Sequence, residues 1–161
     1  MTLLRTSRRR LFAAAGPLLP VAGLVLAALP MAAAAKIAHT KNVDRVLAFC
    51  KAGQDRDLDK QMSFIAENAI YHNMPDEPVS GTGPIRALLA GYTQGTDEAQ
   101  IIVHYIAEAS PGIVLTERLD RFRVKDKWID CPVMGTCEIK DGKIVQWRDY
   151  YDNLRLRAQM G

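Results

Sequence analysis

Residues 127–152 read KWIDCPVMGTCEIKDGKIVQWRDYYD, and this stretch decides the fold. Two runs with the two-residue period of β-strands flank the short segment Lys140-Asp-Gly-Lys143. Gly142 supplies the positive φ that a tight hairpin turn requires. The stretch therefore predicts an antiparallel hairpin made of the strands Lys127–Ile139 and Lys143–Asp152.

The same period of two continues upstream of the hairpin, over Ile101–Ala109 and Ile113–Val124. Four long strands are therefore predicted in succession. A shorter strand is predicted earlier, over Ala69–Met74. A segment rich in proline, glycine and acidic residues follows it, and this composition predicts a loop over Pro75–Gly83.

Helical spacing of apolar residues precedes the long strands. One helix is predicted over Asn42–Ala52, a second begins at Asp57 and a third begins at Pro84, while Asn153–Met160 forms a short helix at the end. The second helical stretch takes in Leu58, Met62, Phe64 and Ile65. Helices followed by a run of strands predict an α+β fold, with N-terminal helices packed on the concave face of a cone-shaped, mixed or antiparallel sheet. Such a sheet encloses a pocket at its open end.

The first 35 residues have the layout of an export signal. They contain four arginines and no acidic residue, and Leu11–Ala35 is uncharged. Ala33-Ala34-Ala35 fits the small-residue cleavage rule, so the mature chain is predicted to begin at Lys36 and to form one domain over residues 36–161. Ser7-Arg-Arg-Arg-Leu-Phe12 resembles a twin-arginine signal, which predicts a periplasmic protein. An ordinary secretory signal and an uncleaved membrane anchor are the alternatives, because 25 uncharged residues can span a bilayer.

The basic character of the chain belongs to that signal segment. Removing its four arginines takes the formal charge from +3 to −1. We therefore expect no nucleic-acid partner, and no stable membrane association after cleavage. The three cysteines, Cys50, Cys131 and Cys137, are an odd number and are expected to be buried thiols rather than a disulfide framework.

The last strand carries the clearest sign of a chemical site. Alternation places Val145, Trp147, Asp149 and Tyr151 on one face, so a single carboxylate lies among apolar and aromatic side chains. Desolvation there is expected to raise the pKa of Asp149 and to make it a candidate general base or acid. A buried structural aspartate, bonded to backbone amides, is the alternative.

Two other pairs of polar residues share a strand face. Arg118 and Asp120 are two residues apart, but periodicity does not tell which face of their strand is buried, and this segment alone favours a solvated strand with surface ion pairs. Tyr71 and Asn73 share a face at a spacing of about 6.6 Å, while His72 points away from them. The three histidines lack metal-ligand spacing, and the chain has no phosphate-binding glycine loop and no nucleophile elbow. No metal and no organic cofactor is therefore expected.

Three motifs in this order resemble the limonene-1,2-epoxide hydrolase family. They are Tyr71-His-Asn73-Met-Pro75, Thr116-Glu-Arg118-Leu-Asp120 and the run from Asp141 to Asp152, with Gly135 after Pro132-Val-Met as a further match. The resemblance covers most of residues 40–155. It implies the cone-shaped fold of the nuclear transport factor 2-like (SnoaL-like) superfamily.

The resemblance also implies a set of catalytic roles. Asp149 takes a proton from water, Tyr71 and Asn73 hold that water, Asp120 protonates the epoxide oxygen, and Arg118 lies between the two carboxylates. The implied substrate is a small apolar epoxide, which water opens to a vicinal diol. By strand parity, and by approach from the third helix, the pocket walls are expected to include Tyr92, Phe122, Cys131, Val133 and Tyr151.

Two other functions use the same fold. A ketosteroid-isomerase-like or polyketide-cyclase-like enzyme would use paired carboxylates to abstract a proton beside a carbonyl. A non-catalytic binding or assembly module would keep the polar residues as a satisfied network. A homodimer is expected by family analogy, and because the outer face of the sheet needs cover.

Overall fold

A computed structural model describes residues 40–160. The predicted export signal over residues 1–35, and the predicted mature start at Lys36, lie outside the described residues. The elements, in chain order, are α1 Lys41–Gln54, α2 Leu58–Met62, β1 Ile65–Met74, β2 Val79–Ser80, α3 Thr82–Gln94, β3 Glu98–Ser110, β4 Ile113–Val124, β5 Lys127–Lys140, β6 Lys143–Tyr151 and α4 Asn153–Met160.

One curved, mixed sheet of six strands has the order β2-β1-β6-β5-β4-β3. Strands β3 to β6 form an antiparallel meander, as the sequence predicts. Strand β1 instead lies parallel to β6, with Tyr71 opposite Trp147 and Asn73 opposite Asp149. This parallel pairing carries the Tyr-x-Asn motif to the strand that holds Asp149. The α+β prediction is confirmed.

The helices pack onto the inner face of the sheet. Thr40 caps α1 by accepting a hydrogen bond from the Val43 backbone N–H, and the buried side of α1 includes Val46 and Phe49. The Phe49 ring meets Trp147 of β6 edge to face at 4.8 Å between centroids. From α3, Ile85 and Leu89 join the same core cluster. Ile106 of β3, Val114 of β4 and Cys137 of β5 belong to this cluster too, so the core extends across the inner face of the sheet.

A β-bulge in β6 corrects one expectation about side-chain faces. Glu138 pairs with Gln146 and Ile139 pairs with Ile144, so Val145 is an extra residue without a partner on β5. The bulge turns Ile144 into the core, fully buried, and leaves Val145 only half-buried. Val145 therefore does not share the face of Trp147, Asp149 and Tyr151 as strict alternation predicted.

Several element boundaries also differ from the sequence-based expectation. Ile65 was predicted to be helical, but α2 ends at Met62 and Ile65 begins β1, where it pairs with Ile144. The predicted loop over residues 75–83 contains the two-residue strand β2, which pairs with Ile70 and Tyr71. The predicted third helix begins at Thr82, two residues before Pro84. Among residues 40–160, no helix is long and apolar enough to cross a membrane.

Candidate active site

Five polar residues from three strands meet in one cavity of about 470 Å³ on the inner face of the sheet. Tyr71 and Asn73 come from β1, Arg118 and Asp120 from β4, and Asp149 from β6. Strand periodicity left the face of Arg118 and Asp120 open, and the structure turns both inward, with 6% and 9% of their surfaces exposed. The five sequence-predicted residues are therefore brought together.

Arg118 bridges the two carboxylates. Its Nε donates to both oxygens of Asp120, at 2.9 and 3.1 Å, and its Nη2 donates to Oδ2 of Asp149 at 2.6 Å. Its Nη1 donates to the Thr116 hydroxyl at 3.3 Å. Each nitrogen of the guanidinium is thus committed, so the planar group holds the two carboxyls in a fixed relative position.

Gly135 makes this bridge possible. The strands β4 and β6 are not neighbours, and β5 lies between them, with Gly135 opposite both Thr116 and Asp149. A Cβ at Gly135 would lie 2.3 Å from Nη1 of Arg118 and 2.9 Å from Oδ1 of Asp149. A side chain at this position would therefore occupy the space through which the guanidinium crosses β5.

Asp149 has one committed oxygen and one free oxygen. The residue is 3% exposed, and its Oδ2 accepts from Arg118. Its Oδ1 is buried and accepts no hydrogen bond from any of residues 40–160. A buried carboxylate oxygen without a donor is costly, so Oδ1 is suited to accept a proton or a hydrogen bond from a bound molecule.

Burial and the neighbouring charges shift the pKa values of the ionisable groups around this oxygen. Desolvation raises the pKa of Asp120, and the charge of Asp149 adds to that effect while Arg118 opposes it. Burial, reinforced by Asp149, raises the pKa of Tyr71 well above its usual range. For Arg118, burial lowers the pKa, but the two carboxylates outweigh it and keep the guanidinium charged. The site therefore holds a fixed cation, a carboxyl that favours its proton, and a phenol that remains a donor.

Tyr71 and Asn73 are held in different ways. The Tyr71 ring stacks on Trp147, with 4.0 Å between centroids, and the residue is 4% exposed. Asn73 lies beside Asp149 in the parallel register, and its Nδ2 donates to the Tyr92 hydroxyl at 3.3 Å. The Asn73 carbonyl oxygen is thereby left to accept a hydrogen bond on the other side of the amide.

The five predicted wall residues all line the same cavity. They are Tyr92 from α3, Phe122 from β4, Cys131 and Val133 from β5, and Tyr151 from β6. All three cysteines are free and buried, as expected from their odd number. Burial raises the pKa of Cys131 to about 12, so this thiol stays neutral beside Asp120.

Sequence reasoning missed the part played by Thr116. This residue is 3% exposed, accepts from Arg118, and donates to the Gly135 carbonyl at 3.5 Å. The signal was present, because Thr116 shares strand parity with Arg118 and Asp120. Strand parity alone does not tell which face of β4 is buried, so the sequence did not show that Thr116 lies in the cavity.

Known proteins share both the sequence pattern and the fold. Residues 40–160 match the family model described as the limonene-1,2-epoxide hydrolase catalytic domain. The epoxide hydrolase EphG of Mycobacterium tuberculosis is 33% identical over 107 residues, which is 66% of this chain and 70% of the relative.

Solved structures agree with that assignment. An LEH-like epoxide hydrolase from M. tuberculosis superposes with a TM-score of 0.65 at 29% identity, covering 73% of this chain and 87% of the other. An NTF2-like protein of unknown function from Cytophaga hutchinsonii superposes with a TM-score of 0.60 at 17% identity, covering 72% and 94% of the two chains. The second likeness concerns the fold alone. With the family model matching all of residues 40–160, this chain belongs to the limonene-1,2-epoxide hydrolase family and has its NTF2-like fold.

Proposed function

We propose that this protein adds water to an epoxide in a single step, with Asp149 as the base and Asp120 as the acid. Family membership makes the chain an epoxide hydrolase. The assignment of roles to its residues rests chiefly on one observation, the Arg118 guanidinium that joins two buried carboxyls in one cavity.

The base side of the reaction centres on Oδ1 of Asp149. A water beside this oxygen donates one hydrogen to it and a second to the Asn73 carbonyl, and accepts from the Tyr71 hydroxyl. The remaining lone pair of the water is then directed at an epoxide carbon. As the new C–O bond forms, the proton passes to Asp149, so no free hydroxide is needed.

The acid side centres on Asp120. Breaking the ring C–O bond leaves an alkoxide, and a proton from Asp120 neutralises it as it forms. Burial supports this role because it raises the pKa of Asp120 and favours its protonated form. The product is a vicinal diol that contains one oxygen from water and one from the epoxide.

The starting protonation is restored through Arg118. After turnover Asp149 carries the proton and Asp120 is ionised. Arg118 contacts both groups, so a proton given to it from one carboxyl is balanced by a proton donated to the other. Two carboxyls coupled in this way share one proton, which the push–pull step requires.

Loss of diol formation in two variants tests this assignment. Asp149→Asn and Asp120→Asn keep the side-chain shape and remove the base or the acid. On any epoxide that the native enzyme converts, we expect each variant to lose more than about 1,000-fold in rate, because general acid and base catalysis each contribute up to about 10⁴-fold. Circular dichroism checks that both variants remain folded. Turnover retained by either folded variant contradicts the assignment.

We also propose a homodimer formed through the outer face of the sheet. Several large apolar side chains are exposed there: Ile102, Tyr105, Leu115, Met134 and Tyr150. Tyr105, Met134 and Tyr150 follow one row across the strands, because Tyr105 and Met134 both face Glu117 and Met134 faces Tyr150. Glu117 interrupts this row, but the apolar side chains on either side of it form an exposed patch that a second copy would bury.

Analytical ultracentrifugation tests the dimer. The mature domain is expected to sediment as a dimer at micromolar concentration, and the double variant Tyr105→Lys/Met134→Lys as a monomer. A monomeric native domain would refute this interface.

We propose that residues 1–35 direct export and are removed. Amino-terminal sequencing of the protein recovered from a periplasmic fraction is expected to begin at Lys36. An intact amino terminus on a membrane-bound product would contradict cleavage.

A further inference from the structure

The catalytic cavity extends past Asp120 towards the edge strand β3. Ile101 of β3 pairs with Asp120 across the sheet, and Gly53, at the end of α1, faces Ile101. Gln61 of α2 and Thr93 of α3 complete the walls of this extension. The same cavity therefore has the catalytic residues at one end and a separate set of side chains at the other.

Gln61 stands out in this extension because its polar side chain lines the cavity while the residue as a whole is only 9% exposed. Its side-chain amide makes no hydrogen bond with any of residues 40–160. Its Nε2 would be 2.8 Å from a Cβ on Gly53, so the amide lies across the end of α1, where glycine leaves room for it. An amide on the cavity wall whose donors and acceptor are not used by the protein can pair with a polar group of a bound molecule.

The position of Gln61 sets the length of a ligand that reaches it. Neighbouring strands are about 4.8 Å apart, so Ile101 lies one strand beyond Asp120, and Gln61 and Ile101 both contact the position of Gly53. The apolar lining of the cavity includes Ile101, Phe49 and Leu89. A substrate that reaches from Asp120 to Gln61 therefore has an apolar skeleton of several carbon atoms between its two polar ends.

The side-chain amide of Gln61 is suited to bind a neutral oxygen of a ligand. An amide offers one acceptor and two N–H donors and carries no charge, which suits a hydroxyl or a carbonyl. Arg56 also lines the extension, but its Nη1 and Nη2 donate to the backbone carbonyls of Asp97 and Thr93, each at 2.8 Å. This guanidinium is therefore committed to the protein and is not arranged to hold a carboxylate.

We propose that the substrate is an epoxide whose apolar skeleton carries a hydroxyl or carbonyl oxygen at the end remote from the ring, bound by Gln61. This proposal rests on the proposed hydrolase function. It adds a substrate class to the reaction, and it assigns Gln61 as a specificity-determining residue.

The test compares three epoxides that differ only at the remote end. They are a terminal 1,2-epoxide with a plain eight-carbon chain, the same epoxide with an ω-hydroxyl, and the same epoxide with an ω-carboxylate. Diol formation gives kcat and KM for each. The native enzyme is expected to prefer the hydroxyl compound to the plain one by about tenfold in kcat/KM, mainly through a lower KM, because one well-made buried hydrogen bond is of this size.

Two variants alter the amide by different routes. Gln61→Leu removes its polar atoms with a similar volume. Gly53→Ala leaves Gln61 in place but displaces its flexible end, because the new Cβ would lie 2.8 Å from Nε2. In both variants the ratio of kcat/KM for the hydroxyl compound to kcat/KM for the plain compound is expected to fall from about ten to about one, and this ratio is the readout. Gln94→Leu, at an exposed position of α3 outside the cavity, is the matched control and keeps the preference.

The outcomes separate this proposal from the proposed function. If the native enzyme converts none of the three epoxides nor any other, the hydrolase assignment fails. If it converts the plain and hydroxyl compounds equally, or prefers the carboxylate, the Gln61 proposal is overturned while the hydrolase assignment stands. If Gln61→Leu slows all three compounds alike, Gln61 is structural and the proposal is overturned.

Discussion

At the scale of single residues, the site depends on the lack of a side chain at Gly135 as well as on its charged residues. Arg118 reaches Asp149 across β5, and the space for its guanidinium exists because residue 135 is glycine. Thr116 then accepts the remaining Nη1 hydrogen bond from one side. The arginine is thus fixed by shape and by hydrogen bonds together, which gives the two carboxyls one geometry.

Gly135→Ala is therefore expected to disable the enzyme without unfolding it. The added Cβ would approach Nη1 of Arg118 to 2.3 Å, so the guanidinium must leave its place between the carboxyls. We expect kcat to fall by about 100-fold or more, since small misplacements of catalytic groups have effects of this size. Gly83→Ala is the matched control, because no atom lies within 4 Å of a Cβ there. A Gly135→Ala enzyme with native kcat would contradict the packing argument.

The raised pKa of Asp120 predicts how rate depends on pH. The proposed acid must be protonated, so kcat/KM is expected to fall as pH rises through the folded-state pKa of Asp120, which burial lifts above the ordinary 3.8. Stability follows the same sign: the contribution of Asp120 is full below its unfolded pKa and is lost as pH rises through the folded one. Urea unfolding at a series of pH values measures this, with Asp120→Asn for comparison. Identical pH dependence in both proteins would argue against a raised pKa.

The sequence indicated some of the proposed catalytic residues more clearly than others. Asp149 and its aromatic neighbours Trp147 and Tyr151 follow from strand alternation near the end of β6. Arg118 and Asp120 did not, because both faces of β4 carry charged residues and periodicity gives no inward direction. Only the family resemblance implied that Arg118 and Asp120 face the cavity, and in the structure both do.

At the scale of secondary-structure elements, long-range pairing explains what local patterns could not predict. The hairpin of β5 and β6 follows from its turn and its alternation, and so do the strands β3 and β4. The bulge at Val145 and the start of β1 at Ile65 are set together, because Ile65 pairs with Ile144 beside the bulge. Partners so far apart in sequence leave no local signal.

Two side chains tie the helix α4 to strand β5, namely Gln159 of α4 and Lys127 of β5, whose ammonium donates to the Gln159 backbone carbonyl. The Gln159 amide accepts from the Asp130 backbone N–H at 2.9 Å and donates to the Asp130 carbonyl at 2.8 Å, as a neighbouring strand would. Leu156 and Met160 of α4 line the cavity, although α4 itself has no buried residue.

Gln159→Leu is expected to loosen the attachment of α4 to strand β5. Hydrogen exchange of the Asp130 amide and of the α4 amides is expected to accelerate, and stability to fall by about 1 kcal/mol. Gln94→Leu makes the same change at an exposed position of α3 and leaves exchange in α4 unchanged. Equal protection of α4 in the native and Gln159→Leu proteins would show that other contacts hold the helix.

At the scale of the whole molecule, the fold is held by packing rather than by covalent links. All three cysteines are free and buried. Burial raises the pKa of Cys50 to about 12, and it raises the pKa of Cys137 further. Neutral, enclosed thiols react slowly, because the thiolate is the reactive form.

The native protein is therefore expected to react slowly with a thiol reagent. All three thiols of the chain are expected to react only after unfolding in denaturant. All three cysteines line the cavity, so a bound diol is expected to slow their modification further. A reductant is expected to leave the thermal midpoint unchanged. Fewer than three titratable thiols in the unfolded protein would reveal a disulfide that the fold does not show.

In the proposed mechanism, water activated by Asp149 attacks the epoxide in one step while Asp120 protonates the ring oxygen. A single turnover in ¹⁸O-labelled water, with enzyme in excess over epoxide, tests it most directly by mass spectrometry of the diol. One labelled oxygen is expected in the diol from the first turnover, and no label in the protein. Unlabelled diol from that turnover, with ¹⁸O appearing in Asp149 or Asp120 afterwards, would instead show a covalent ester intermediate and contradict the mechanism.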